Sequence, residues 1–210
     1  MNIDEIIQAD IKSSLTKSGI LLFLAGFLIF MGIITCEIFY KAPYNTHDSY
    51  ISELATESSS GREIQQTSAI IFNSTMIITG IMVLIAAFFV QRVFKKYIST
   101  IPLALLGLGL SGVGIFPGNV VPWHLVFALM IFVFGGVAAI TSYKIVNTPL
   151  RYLFAIFGIV ALTFLFFNKF FSRQIGAGGA ERWLFYPIVF WLTGMGTYLL
   201  GIKDGHKNML

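Results

Sequence analysis

The sequence predicts an all-α polytopic membrane protein, a six-transmembrane-helix bundle with an N-terminal amphipathic interfacial helix. Two observations carry this prediction. Of the 210 residues, 56% are hydrophobic and only 11% are charged, whereas soluble domains carry about 25% charged residues. The chain also contains six apolar runs close to the ~20 residues that an α-helix needs to cross ~30 Å of hydrocarbon. A soluble fold could not cover so much apolar surface with so few charges, so the bilayer is the expected solvent.

Residues 18–210 are expected to form one six-helix transmembrane domain, preceded by the segment 1–17. The ends of the runs carry residues that start or stop helices. Residues 60–63 read Ser-Gly-Arg-Glu, which matches the Ser-x-x-Glu capping box and predicts a helix start. Pro117 and Gly118 follow the third run, and both residue types are common just after a helix end. The predicted spans are 18–40, 65–90, 100–116, 123–143, 150–168 and 183–202.

The N-terminal segment 1–17 has the pattern of an amphipathic helix. Its apolar residues recur at helical spacing, whereas charged residues occupy the other faces. Such a helix is expected to lie in the membrane interface. Acidic residues stand where a secretory signal would be basic, so the segment is expected to remain in the mature protein. The apolar positions are Ile3, Ile6, Ile7, Ile11 and Leu15.

The distribution of Lys and Arg predicts a multi-pass protein of the cell membrane with both termini cytoplasmic. With the N-terminus inside, nine of the 14 Lys and Arg residues fall on the inner side and five on the outer side. Inner loops of membrane proteins carry the excess of positive charge. The clearest inner anchor is the loop 91–96, which contains Arg92, Lys95 and Lys96. The polar stretch 50–63 is then expected to face outward.

Small residues predict which faces of the spans contact other helices. In the third run they are spaced by three and four residues and form one stripe. Because lipid gives no hydrophobic reward for helix association, close backbone approach along such stripes drives packing. The expected partners are therefore membrane lipids and, through small-residue helix faces, other membrane protein subunits. The stripe of the third run consists of Ala104, Gly107, Ser111, Gly114 and Gly118.

Composition and spacing exclude several kinds of site. The single cysteine, Cys36, cannot form an intramolecular disulfide or a Cys-built metal centre. The formal net charge of +4 is too small to indicate nucleic-acid binding, and no groove-reading motif is present. The sequence has no tight spacing such as His-Glu-x-x-His. No metal site, no other cofactor and no nucleic-acid partner are therefore expected.

Polar side chains concentrate at the predicted outer ends of the spans. Burial of a polar group without a partner costs a few kcal/mol, so polar residues in or beside membrane spans indicate a functional site. We therefore predict an outward-facing pocket that binds a lipid headgroup or a small polar ligand. No catalytic residue can be assigned. The candidate ligand-binding residues are Ser52, Glu53, Asn73, Asn119, His124, Glu181 and Arg182.

Within this pocket, Glu53 and His124 are expected to approach each other, because a carboxylate beside an imidazole satisfies both groups. Two other functions stay open. The protein could be an accessory or structural subunit of a larger membrane complex, and the polar cluster would then be structural. It could also be a membrane-embedded enzyme that acts on a lipid with Glu53 and His124, which would require a shifted pKa at one of them.

Four motifs follow one another at characteristic distances along the chain. They are YISELA (50–55), FNSTMIITGIM (72–82), GVGIFPGNVVPWHLVFALMIF (112–132) and GAGGAERW (176–183). Together they resemble the prokaryotic six-helix integral membrane family catalogued as domain of unknown function 998. The resemblance implies the architecture but no reaction. It also marks five of the candidate positions, Ser52, Glu53, Asn73, His124 and Glu181.

The chain departs from the family pattern at two places. Where the family commonly has Ser-Asp-Leu-Gly, this chain has Ser-Glu-Leu-Ala at residues 52–55. Where the family often has an acid after Phe-Pro, this chain has Gly118. The first change keeps a carboxylate on a longer arm at Glu53. The second removes a possible ligand and argues against a metal or an acid pair.

Overall fold

The computed structural model describes residues 3–40, 43–55 and 66–202. Within those ranges the chain forms helices and their connections, with no β-strand. Two short 3₁₀-helices, Ile51–Ala55 and Ser142–Lys144, accompany the α-helices. The α-helices are α1 (Ile3–Phe39), α2 (Gln66–Phe94), α3 (Tyr97–Ile115), α4 (Trp123–Thr141), α5 (Leu150–Phe166), α6 (Asn168–Ile175) and α7 (Ala177–Ile202).

The helices confirm the predicted class, an all-α polytopic membrane bundle. Among the described residues, five helices are long and apolar enough to cross a membrane. A sixth span results if α5 and α6, which meet at an angle of 89°, are counted together. The predicted capping box at 60–63 lies outside the described residues.

The spans form a closed ring in which each helix packs on the next. α1 contacts α2, and the series continues through α3, α4, α5 and α7 back to α1. α1 and α7 pack closely, since a Cβ atom at Gly196 would lie 2.7 Å from the carbonyl oxygen of Gly19. Large side chains such as Leu22, Leu106 and Trp191 fill the centre of the ring. Burial of these apolar groups against one another and against glycine backbones defines the order of the helices.

The predicted packing role of the small-residue stripe on α3 is confirmed. A Cβ atom at Gly107 would lie 2.9 Å from the carbonyl oxygen of Gly80, and one at Gly114 would lie 2.6 Å from that of Asn73. Both contacts are with the backbone of α2, so the stripe packs within the chain. Ile131 and Ala138 of α4 are buried as well.

Two helices begin earlier in the chain than the predicted spans they contain. The first helix runs from Ile3 to Phe39 without a break, so no helix end separates segment 1–17 from the first span. Its interfacial location stays a prediction. The sixth span begins at Ala177 rather than at residue 183. The glycine-rich stretch at 177–179 lies outside the predicted spans. It is helical because Gly178 and Gly179 donate their N–H groups to the carbonyl of His47, which provides partners that the first turn of a helix lacks.

One end of the ring carries most of the polar contacts described below, and we call it the polar end. It contains the connection between α3 and α4, the junction of α6 with α7, and residues 43–55, which we call the strap. The strap crosses the end of the bundle and includes the 3₁₀-helix Ile51–Ala55. At the opposite end, Arg92 of α2 forms an ion pair with Asp10 of α1, with 2.7 Å between nitrogen and oxygen.

Candidate functional site at the polar end

Arg182 fastens the strap to α7. Its Nη1 donates to the carbonyl oxygens of Thr46 at 3.1 Å, Ser49 at 3.0 Å and Gly178 at 3.0 Å. Its Nη2 donates to Glu37 at 3.1 Å and to the hydroxyl of Tyr44 at 2.6 Å. The two terminal nitrogens carry four N–H groups, and all of them are engaged within the chain. Arg182 therefore acts on the strap in this structure, with no terminal donor left for a ligand.

The charge of Arg182 is balanced by groups from α1 and the strap. Glu37 forms an ion pair with it, and the side chains of Arg182 and Glu37 are only 11% and 29% exposed. The guanidinium also lies over the ring of Tyr44, 5.5 Å from its centroid. Burial raises the pKa of Tyr44, although the positive charge of Arg182 opposes part of that effect. The phenol therefore stays neutral and donates to the carbonyl oxygen of Tyr50 at 3.3 Å.

Glu181, the neighbour of Arg182 on α7, holds a second point of the strap. Its carboxylate accepts a hydrogen bond from the backbone N–H of Ile51, the first residue of the 3₁₀-helix. A carboxylate at a helix N-terminus is favoured by the unpaired N–H groups there. Two adjacent residues of α7 thus bind the strap at different places, Glu181 at Ile51 and Arg182 at Thr46 and Ser49.

A small cavity beneath the strap brings together three of the predicted site residues. Ser52, His124 and Glu181 all line it, and its volume is about 30 Å³. We call it the strap cavity. Roughly 10–15 Å³ of such volume is enough to hold a water molecule, so the cavity admits water but no headgroup. The remaining lining residues are apolar and come from the strap, α2, α3, α4 and α7.

His124 has a fixed partner on one side of its ring. Its Nδ1 lies 2.9 Å from the carbonyl oxygen of Phe116, which can only accept a hydrogen bond. We therefore assign the proton to Nδ1. In the neutral imidazole this leaves Nε2 as an acceptor. The ring is anchored to the end of α3 while it lines the strap cavity.

The other predicted site residues do not line the strap cavity. Glu53 accepts a hydrogen bond from the backbone N–H of Tyr50 at 3.2 Å, so it is part of the turn that starts the 3₁₀-helix. Asn73 lies on α2, and its buried Oδ1 has no hydrogen-bond partner among the described residues. Asn119 is exposed in the connection between α3 and α4. The approach of Glu53 to His124 stays a prediction.

A much larger groove lies on the other side of Arg182, and the sequence did not predict it. It has a volume of about 750 Å³ and is bounded by α5, α6, α7 and the strap. We call it the α5–α7 groove. Its walls are apolar, with Ile156, Val160 and Phe190 among them, and Thr46 and His47 stand at its polar rim.

His47 is held at the rim by its neighbours. Its Nδ1 lies 2.6 Å from Oδ1 of Asp48, and this hydrogen bond lowers the pKa of Asp48. The contact therefore adds stability above the unfolded pKa of Asp48 and loses it as the pH falls through the lowered value. The backbone of His47 sits directly on Gly176, at the junction of α6 and α7, where φ is +76°. A glycine is required there, because a side chain would meet both an unfavourable φ and the carbonyl of His47.

No group of three or more His, Cys, Asp or Glu side chains that could hold a metal ion occurs in residues 3–40, 43–55 and 66–202. The polar end instead contains Arg182, whose terminal N–H groups are all engaged, Glu181, whose carboxylate caps a 3₁₀-helix, and His124, whose Nδ1 is bonded to a carbonyl oxygen. These are contacts that fix a strap and shape two cavities.

Comparison with known families assigns the architecture. The sequence matches the model of a family described as "Protein of unknown function (DUF998)" over residues 24–198. The chain belongs to this family. The match extends from α1 to α7 and includes all seven predicted site residues. The protein is accordingly a multi-pass integral membrane protein of that family. No curated protein and no solved structure matches the chain.

Proposed function

We propose that the protein binds a membrane lipid in the α5–α7 groove, with an acyl chain between the helices and the headgroup at the rim formed by Thr46 and His47. One observation carries the proposal, namely the form of the groove. Its volume of about 750 Å³ lies within the 300–1,000 Å³ of typical ligand sites. Its long apolar walls and single polar rim match the amphipathic form of a lipid.

The position of the groove supports the same occupant. Three of its lining side chains are more than half exposed on the lipid-facing surface of the helices, Ile156 at 53%, Trp183 at 56% and Phe190 at 51%. A lipid could therefore enter sideways from the bilayer. Trp at this level is typical of the membrane interface, where the headgroup of a bound lipid would lie.

The two cavities divide the outward pocket that the sequence predicted. The strap cavity, lined by Glu181, is too small for a headgroup, whereas the groove, lined by Arg182, is about 25 times larger. We therefore assign the ligand to the groove. Glu181 then holds the strap, whose residues Thr46 and His47 form the rim, and Ser52 and His124 line the strap cavity.

Two glycines of α7 allow a matched test. A Cβ atom at Gly179 would meet only the side chain of Ile175, at 3.4 Å or more, so a leucine there fits the helix and fills the groove. Gly201 lies near the other end of the same helix and has nothing within 4 Å. Gly179→Leu and Gly201→Leu thus make the same chemical change at two distant places.

The measurement is native mass spectrometry of purified protein exchanged into detergent with a defined phospholipid mixture. We expect the wild type and Gly201→Leu to retain a lipid. Gly179→Leu should retain at least fivefold less at unchanged thermal stability. No retained lipid in the wild type, or equal retention in Gly179→Leu, would reject the proposal. Equal loss in both variants would place the lipid elsewhere on α7.

A further inference from the structure

The helix α6, which follows the bend after α5, carries two positive charges that form no ion pair with the described residues. α6 turns by 89° from α5, so it runs across the direction of that helix. Lys169 and Arg173 are exposed on it. The described residues offer neither of them an ion pair, whereas Arg182 and Arg92 each have one.

The two cations share one face of α6. They are four residues apart, which places them one turn above each other on an α-helix. The opposite face is apolar: the ring of Phe171 stacks on Phe164 with 4.0 Å between centroids, and Ile175 lines the groove. The exposed rings of Phe166, Phe167 and Phe170 flank the bend. This is the arrangement of a helix that lies in the membrane interface with its charged face toward the headgroups.

The cationic face lies close in the chain to the rim of the groove. Arg173 is three residues before Gly176, and His47, a rim residue, sits directly on Gly176. Three acidic side chains described at the polar end have partners of their own: Glu37 pairs with Arg182, Asp48 contacts His47, and Glu181 binds the N–H of Ile51. Within the described part of the chain, Lys169 and Arg173 therefore have no acidic partner at this end.

We propose that the lipid in the α5–α7 groove carries a net negative headgroup, and that Lys169 and Arg173 recognise its phosphate. This inference rests on the proposed function. A long flexible lysine and an arginine fork both bind phosphate oxygens strongly. Basic residues at a membrane surface also attract anionic lipids over zwitterionic ones. The groove thus selects the lipid by its chain, and α6 selects it by its charge.

The test compares two lipids that differ only in headgroup charge. Purified protein is offered phosphatidylglycerol and phosphatidylcholine with identical acyl chains, and retained lipid is counted by native mass spectrometry. We expect a roughly tenfold preference of the wild type for phosphatidylglycerol, because each basic residue near an anionic lipid strengthens binding several-fold. The double variant Lys169→Gln/Arg173→Gln should retain lipid but lose the preference to within about twofold.

A matched control removes two positive charges at the opposite end of the bundle. Lys96 and Lys144 are exposed there, and Lys96→Gln/Lys144→Gln should leave the preference unchanged. Inorganic phosphate, compared with chloride at equal ionic strength, forms a third arm. If phosphate alone displaces the bound phosphatidylglycerol, the site binds free anions and the lipid assignment is wrong.

The possible outcomes separate this inference from the proposed function. Retained lipid without headgroup preference in the wild type overturns the role of α6 and leaves lipid binding standing. A preference that survives Lys169→Gln/Arg173→Gln, or that disappears in the control variant, overturns it as well. Failure of the wild type to retain either lipid instead rejects the proposed function.

Discussion

Glycines occur both at the contact between α2 and α3 and at the contact between α5 and α7. The first contact is tightly packed, whereas the second leaves open grooves. In the first, a Cβ at Gly107 or Gly114 would meet the carbonyl oxygens of Gly80 and Asn73. In the second, a Cβ at Gly194 would meet the ring of Phe154, and one at Gly201 would meet nothing within 4 Å.

The difference lies in what faces the glycines, which is backbone between α2 and α3 and either an aromatic ring or open space between α5 and α7. Between α2 and α3, small residues face small residues and the backbones touch. Between α5 and α7, the aromatic rings of Phe154, Phe157 and Phe190 hold the helices apart. Phe157 and Phe190 line the α5–α7 groove and also a second groove, of about 1,020 Å³, on the other half of the same contact. Tight packing at one contact and open grooves at the other follow from this distinction.

The largest loss of stability is expected at Arg182, whose polar contacts hold the strap beside the α5–α7 groove. Arg182→Met should destabilise the protein by about 3–5 kcal/mol, because removal of one partner of a buried ion pair leaves the other charge uncompensated. Glu37 would lose its partner, and the strap would lose its bonds at Thr46 and Ser49. Thermal unfolding of the purified protein measures the change. Arg173→Met, at an exposed position on α6, is the control and should shift stability by less than about 0.5 kcal/mol.

A second prediction concerns the tight contact. Gly114→Leu should cost on the order of 1–3 kcal/mol, because overpacking forces the backbones of α2 and α3 apart. Gly107→Leu should behave in the same way. The readout is again thermal stability in detergent. Unchanged stability of both variants would mean that the stripe does not hold these helices together.

The third prediction makes the same substitution at the open contact. Gly201→Leu should lower stability by no more than about 0.5 kcal/mol, because the new side chain enters open space. Replacing a glycine in a helix also brings a gain in helix propensity of up to about 1 kcal/mol. If Gly201→Leu destabilises as much as Gly114→Leu, the two contacts are equally tight, and the comparison fails.

The smallest change in stability is expected at Ser111, in the tight contact between α2 and α3. The hydroxyl of Ser111 is buried and has no hydrogen-bond partner among the described residues. Ser111→Ala should therefore be neutral or stabilising by up to about 1 kcal/mol, because it removes an unsatisfied buried group. A loss of more than about 1 kcal/mol would indicate that this hydroxyl is bonded in the membrane.

The features that sequence predicted are those that local composition determines. Hydrophobic runs define the spans, and three- and four-residue spacing defines the stripe that includes Gly107 and Gly114. The costs of burying polar groups also directed attention to Ser52, His124 and Glu181, which line one cavity. Each of these rests on a residue type and its position along one helix.

The α5–α7 groove could not be predicted in the same way. It depends on the bend at Phe167 and on aromatic rings that look like ordinary lipid-facing residues. The strap could not be predicted either. Arg182 binds carbonyl oxygens of Thr46 and Ser49, and because every residue has a carbonyl, these partners leave no signal in the sequence. The pairing of Arg182 with Glu37 joins α7 to α1, two helices that are far apart in the chain.

The packing of α1 on α7 has a consequence for the time course of assembly. A Cβ at Gly26 would lie 3.0 Å from the backbone nitrogen of Thr193, yet nearly the whole chain separates the two residues. At about 5–20 residues per second, synthesis of the intervening chain takes on the order of ten seconds. Throughout that interval the face of α1 that carries Gly26 has no α7 to pack against, so that face can contact only lipid or a neighbouring protein. The ring therefore closes last at the helix that was made first, and a slow ribosome lengthens the period in which a foreign helix can occupy that face.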